Sequence, residues 1–237
     1  YRMSVEHITK ARATDMFEIV GEYPESIKAI IELREYAVRS DSMGYIGRVF
    51  KSTLRKRLLH MGASTTQILE FYVSMIRSLR LLDPSELLLK FVESPVREYL
   101  KGRKDAVRCI VSSLTQGKES ELHGELKEGG SLEYGADEDD EEKGPGVGWV
   151  PPQRHKELSV SSTNRGLDIL AMLVSIYGST DLFIVEYRAL LSDKLLSSFS
   201  SKFSTDTEIS NLELLKIRFG EEALHSCAVM LMDIEDS

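Results

Sequence analysis

Asp181-Leu-Phe-Ile-Val-Glu-Tyr-Arg-Ala-Leu-Leu-Ser-Asp-Lys-Leu-Leu196 opens the stretch that decides the fold. After a serine-rich break it continues through Glu208, Leu214-Leu215-Lys216, Phe219-Gly220 and Met230-Leu-Met-Asp-Ile-Glu-Asp-Ser237. Apolar residues at 183, 187, 190, 191 and 195 recur every third or fourth position and so fall on one stripe of a helix. A second stripe is expected at 209, 212, 215 and 219, and a third at 224, 227, 231 and 234. The residues expected to hold this bundle together are Phe183, Tyr187, Leu190, Leu191, Leu195, Leu215, Phe219 and Met230.

Toward the N-terminus, residues 1–116 read as further helices with clear punctuation. Val5, Ile8, Met16 and Ile19 predict one helix ending near Gly21, and Pro24 is placed to open the next, with Ile27, Ile30 and Ile31 on its buried face. Ile46, Val49, Phe50 and Leu58 mark a third. Ser64-Thr-Thr-Gln67 has the spacing of a capping box and starts a fourth, facing inward through Ile68, Tyr72, Met75, Ile76 and Leu79. Asp83-Pro84-Ser85-Glu86 is expected to end that helix and cap another, and Ser94-Pro95 to break the chain again. Asp105 would cap a helix with Val107, Ile110, Val111 and Leu114 on its face. No segment alternates with period two over enough residues to form a sheet. The expected fold is all-α, built of elongated stacked helices.

Charge divides the chain further. Net charge is −8, yet residues 118–148 alone hold eleven acids and three bases, leaving 27 acids and 27 bases in balance elsewhere. Asp137-Glu-Asp-Asp-Glu-Glu142 is an unbroken acid run in a Gly- and Ser-rich setting. Such a stretch buries too little apolar surface to offset its chain entropy. The expected organisation is a helical domain over 1–116, a disordered acidic linker over 117–163, and the start of a helical bundle over 164–237. A balanced charge outside the linker argues against a nucleic-acid footprint. No run of about eighteen apolar residues occurs, so no membrane span is expected. Starting at Tyr1 and stopping after Ser237, the chain reads as a segment of a longer polypeptide.

Residues that could carry chemistry are sparse. Cys109 and Cys227 sit on apolar stripes and read as small core residues suited to a reducing compartment. His225 and Cys227 are two apart, which puts them on different helix faces, and no Cys-x2-Cys or His-x3-His pair accompanies His60, so no metal or other cofactor is expected. No Ser-His-acid partnership is legible among the serines. Arg48, Lys51 and Arg55 line one helical face, with Lys56, Arg57, Arg77 and Arg80 nearby. The face is either simply solvated or a docking patch for an acidic partner or for the chain's own linker. Trp149, followed by Val-Pro-Pro152, is a second docking candidate, because a large aromatic in a polar segment commonly anchors in a groove. Ser159, Ser161, Ser162 and Thr163 precede a helix start, where phosphate would be electrostatically favoured.

Leu82-Asp-Pro84, Ser94-Pro-Val-Arg-Glu-Tyr-Leu100, Arg103-Lys-Asp-Ala-Val-Arg108 and Val174-Ser-Ile-Tyr-Gly-Ser179, taken in order with the opening stretch, resemble the cullin family. Within it they look most like the cullin-like branch found in the anaphase-promoting complex. Ser192-Asp193-Lys194, Phe219 and the acidic insert depart from the general cullin pattern and favour that branch over cullins that use the usual adaptors. The resemblance implies a non-catalytic scaffold of a multisubunit RING ubiquitin ligase, acting in the cell cycle in nucleus and cytoplasm. Its implied partners are the other subunits of that complex, with the RING subunit and conjugating enzyme held by parts outside this segment. A helical tethering or adaptor rod with no ubiquitin role has the same helical periodicity, and the sequence beyond Ser237 would separate the two.

Overall fold

The computed structural model describes residues 9–115, 122, 169–198 and 205–235. Among them every regular element is helical and none is a strand, as the periodicity requires. They form two compact units, the first holding the described residues up to Leu100 and the second those from Lys101 onward.

In the first unit a helical stretch over 9–14 leads to α1 (Met16–Gly21), α2 (Ile27–Ser40), α3 (Met43–Arg57), α4 (Thr65–Leu82) and α5 (Leu87–Lys101). Helix α4 is the centre. Ile68, Leu69, Tyr72, Val73, Met75, Ile76 and Leu79 are all buried on it, so its apolar surface runs most of the way round and needs neighbours on several sides. Helices α1 and α2 supply two of them, and Phe17 stacks on Phe71 at 4.6 Å between ring centroids.

Three local expectations change. Pro24 lies in the turn ahead of α2 rather than at its first position; Ser26 precedes the helix, and its hydroxyl donates to the Ile19 carbonyl. On α2 the buried face is Ile30, Leu33 and Ala37, while Ile31 is 47% exposed because one residue rotates the side chain by about 100° around the axis. Ser94-Pro95 does not break the chain, since α5 runs straight through Pro95. Ser64 does precede α4 in extended backbone, without a side-chain capping bond. Asp83 behaves as expected. Its carboxylate accepts from the Leu88 amide at 2.9 Å, an orphan donor in the first turn of α5, and from the Ser85 hydroxyl at 2.6 Å.

The second unit holds α6 (Ala106–Thr115), α7 (Ile169–Tyr177), α8 (Asp181–Ser198), α9 (Thr205–Phe219), a 3-10 turn at Glu222–Leu224 and α10 (His225–Glu235). Helix α6 packs on α8, which is why the division falls at Leu100 and not at residue 116. Ile110, Val111 and Leu114 are buried there, with Val107 only half-buried. Gly178 (φ 69°) and Gly220 (φ 92°) close α7 and α9 in the left-handed conformation that residues with a Cβ disfavour. Within the expected linker, Leu122 is helical and buried. The acid run, Trp149 and the candidate phosphoacceptors lie outside the described residues. Among the described residues no single helix is long and apolar enough to cross a membrane.

Candidate functional site

Residues 48, 51, 52 and 55 are spaced by three and four, so α3 turns them all to one side, away from buried Ile46, Phe50 and Leu54. There Arg48, Lys51, Ser52, Arg55 and Lys56 surround an open pocket of about 290 Å³ whose remaining wall is the Phe91 ring from α5. Arg48, Arg55 and Lys56 are exposed and make no ion pair among the described residues. Two of the neighbouring cations lie elsewhere. Arg57 pairs with Glu18, holding that carboxyl below its ordinary pKa, and stacks over Phe17 at 4.4 Å. Arg80 pairs with Glu86 at 2.9 Å.

Lys51 has a different use. Its ammonium donates to the Phe91 carbonyl at 2.9 Å and to the Ser94 hydroxyl at 2.7 Å, and lies 4.5 Å over the Phe91 ring. In an unbroken helix the Phe91 carbonyl would accept from the amide of residue 95, but that residue is Pro95 and has no N–H. Lys51 fills the vacated position. Burial lowers its pKa, Arg55 lowers it further, and Glu98 acts in the opposite direction. Phe91 and this substitute bond were missed in the sequence, although a proline four residues after an aromatic was a usable signal. The approach of α3 to α5 depends on Gly47. A Cβ there would lie 2.7 Å from Leu88 Cδ1 and 3.2 Å from Phe91 Cδ1.

In the second unit Phe183, Tyr187, Leu191, Leu195 and Leu215 are buried, whereas Leu190, Phe219 and Met230 are half-buried. Phe183 joins Tyr177 edge-on at 5.7 Å and stacks with Phe219 at 6.4 Å, so one aromatic cluster links α7, α8 and α9. Each fully buried large apolar side chain contributes about 1.5–3 kcal/mol. Helix α9 is rotated from its expected stripe. Its buried positions are Glu208, Asn211, Leu212, Leu215 and Arg218, with Ile209 and Phe219 only half-buried. Glu208 is held by Lys194 at 2.7 Å, and Asn211 donates to the Thr115 carbonyl at 3.1 Å. Burial and the nearby Glu208 carboxylate push the Tyr187 hydroxyl's pKa upward.

Cys227 is buried and its thiol pKa is raised by that burial, while Cys109 is half-buried and His225 exposed. Among the described residues no group of three His, Cys, Asp or Glu comes together. The His60 carbonyl accepts from the Tyr99 hydroxyl at 2.7 Å.

Residues 2–103 match the family model described as "ANAPC2-like, TPR repeats". The chain is 45% identical over 231 residues to anaphase-promoting complex subunit 2 of Homo sapiens, covering 95% of this chain and 28% of that protein. To the protein of the same name from Arabidopsis thaliana it is 39% identical over 253 residues, covering 98% of this chain and 29% of the other. To that from Schizosaccharomyces pombe it is 34% identical, covering 95% and 32%. The chain thus spans about a third or less of the length of the curated relatives it matches.

Proposed function

The chain is a relative of anaphase-promoting complex subunit 2 along nearly its whole length, and on that premise we propose that it is a scaffold segment of a multisubunit RING ubiquitin ligase. The observation that carries this reading is that similarity to proteins of that name runs through both helical units, beyond the repeat region at 2–103. The proposed task is geometric. Stacked helices hold substrate-recognition subunits at a fixed distance from a RING subunit and its conjugating enzyme, and this segment does no chemistry itself. The proposed packing residues Phe183, Tyr187, Leu190, Leu191, Leu195, Leu215, Phe219 and Met230 keep the second unit stiff. The proposed docking contacts to neighbouring subunits are the α3 face around Arg48 and Arg55, and Trp149. The protein is proposed to work in nucleus and cytoplasm during cell division.

Exposed apolar side chains in the second unit support the scaffold reading. Leu182, Val185 and Leu196 on α8, Ile217 on α9 and Met232 on α10 are each at least half exposed. Single exposed apolar residues are ordinary, but five on three adjoining helices suit a unit that is covered by further protein. Purification of the full-length protein from dividing cells, with mass spectrometry of what accompanies it, tests the proposal. The expected companions are other subunits of the anaphase-promoting complex. Recovery of membrane-tethering proteins in their place would overturn it.

A further inference from the structure

We propose that the α3–α5 pocket of the first unit binds an acidic segment of a partner protein that presents one large apolar side chain between its carboxylates. This deepens the docking role proposed above by naming the chemistry of what docks. Three cations, Arg48, Arg55 and Lys56, stand at the rim without an ion pair among the described residues, while the base is the Phe91 ring. Charge at the rim and an apolar floor select a mixed ligand. The volume, about 290 Å³, lies at the small end for a binding cavity and suits one side chain rather than a whole small molecule.

Lys51 is a positioning residue. Two of its three donors are committed to the Phe91 carbonyl and the Ser94 hydroxyl, and its charge lies over the ring. It fixes the floor and keeps α5 from sliding against α3. Arg48 and Arg55, seven residues apart on a helix, are separated along the axis by about 10 Å. Carboxylates two or three residues to either side of a seated apolar side chain can therefore meet both.

Two other occupants fit less well. The chain's own acid run, Asp137–Glu142, has complementary charge but contains no apolar side chain for the floor. Nucleic acid needs a continued basic track, whereas acids and bases balance outside residues 118–148.

The test is fluorescence anisotropy of the full-length protein with a labelled nine-residue peptide of glutamates around one central leucine. The expected dissociation constant is micromolar, weakening about tenfold for the Arg48→Glu/Arg55→Glu variant. Replacing the peptide's leucine with serine should weaken binding about tenfold. Thermal melts establish that the variant is folded, since both arginines are exposed. Equal binding by the variant, or by the serine peptide, overturns the proposal. So does equal competition by a single-stranded RNA of the same charge, or a gain of tenfold or more on neutralising residues 137–142. Loss of peptide binding with complex assembly intact leaves the scaffold reading standing, and failure of co-purification with peptide binding intact separates the two the other way.

Discussion

The ammonium of Lys51 donates at 2.9 Å to the carbonyl of Phe91, the acceptor that Pro95 leaves without its helical amide. A proline inside a helix removes one backbone bond and costs about 3 kcal/mol where nothing compensates. Here a side chain from the neighbouring helix supplies the missing donor, so α5 continues for six residues past Pro95 to Lys101. The same contact joins α3 to α5.

Lys51→Met should therefore destabilise the first unit by about 1–2 kcal/mol, the worth of a hydrogen bond from a charged donor to a half-buried carbonyl. In the Pro95→Ala background an amide returns to the helix, and the same lysine change should cost less than half as much. A double-mutant cycle in urea measures the coupling. Equal losses in both backgrounds would show that Lys51 does not act through the vacated bond.

Asn211 donates to the carbonyl of Thr115, one of the last in α6, and both residues are buried. The final carbonyls of a helix have no amide of their own, so Asn211→Leu should destabilise the second unit by about 1–3 kcal/mol. Asn211→Asp should be at least as harmful, because it sets a carboxylate against the negative end of α6. Denaturant melts followed by circular dichroism read both, and an unchanged midpoint for Asn211→Asp would remove this account.

Gly47 should resist even alanine. Alanine gains about 1 kcal/mol over glycine in a helix interior, but its Cβ would meet Leu88 at 2.7 Å, and Leu88 is fully buried with little room to yield. Overpacking of this kind costs about 1–3 kcal/mol. Gly47→Ala is expected to lower the thermal midpoint, and adding Leu88→Ala should cost less than it does in the parent. Stabilisation by Gly47→Ala alone would mean that α3 and α5 are not packed this closely.

Glu93 gives the first unit a pH dependence. Burial pushes its carboxyl upward; Arg97 at 3.7 Å and the Tyr72 hydroxyl at 3.2 Å oppose this only in part. The folded state then holds the Glu93 proton more tightly than the unfolded chain does. Above the ordinary value of 4.5 the unfolded state loses that proton first, so this residue's contribution to stability falls as pH rises through its raised pKa. Glu93→Gln should flatten the decline between pH 4.5 and neutrality. Urea midpoints measured across that interval check it, and an unaltered slope would exclude Glu93 as the source.

Helix positions were legible because burial of one face imposes a period of 3.6 on apolar residues wherever the chain lies. That is why Phe183, Tyr187, Leu191 and Leu195 of the stripe are buried, with Leu190 at its edge half-buried, and why Gly178 and Gly220 stand where helices close. The cationic face at Arg48 and Arg55 could be read for the same reason, since spacing alone puts its members on one side. The rotation of α9 could not. Glu208 and Asn211 look like solvent residues until Lys194 and the end of α6 are placed beside them, because burial of a polar group depends on its partner and not on its own chemistry.

By itself, then, the sequence determined that this chain is helical, roughly where each helix runs, and which residues could pack. Tertiary structure alone decided that α6 belongs with α8, that α5 survives Pro95, and that Lys51 serves Phe91 instead of solvent. The physical reason is one of range. Periodicity is a local property of successive side chains, whereas a carbonyl lacking its amide is satisfied by whichever donor the fold brings within about 3 Å.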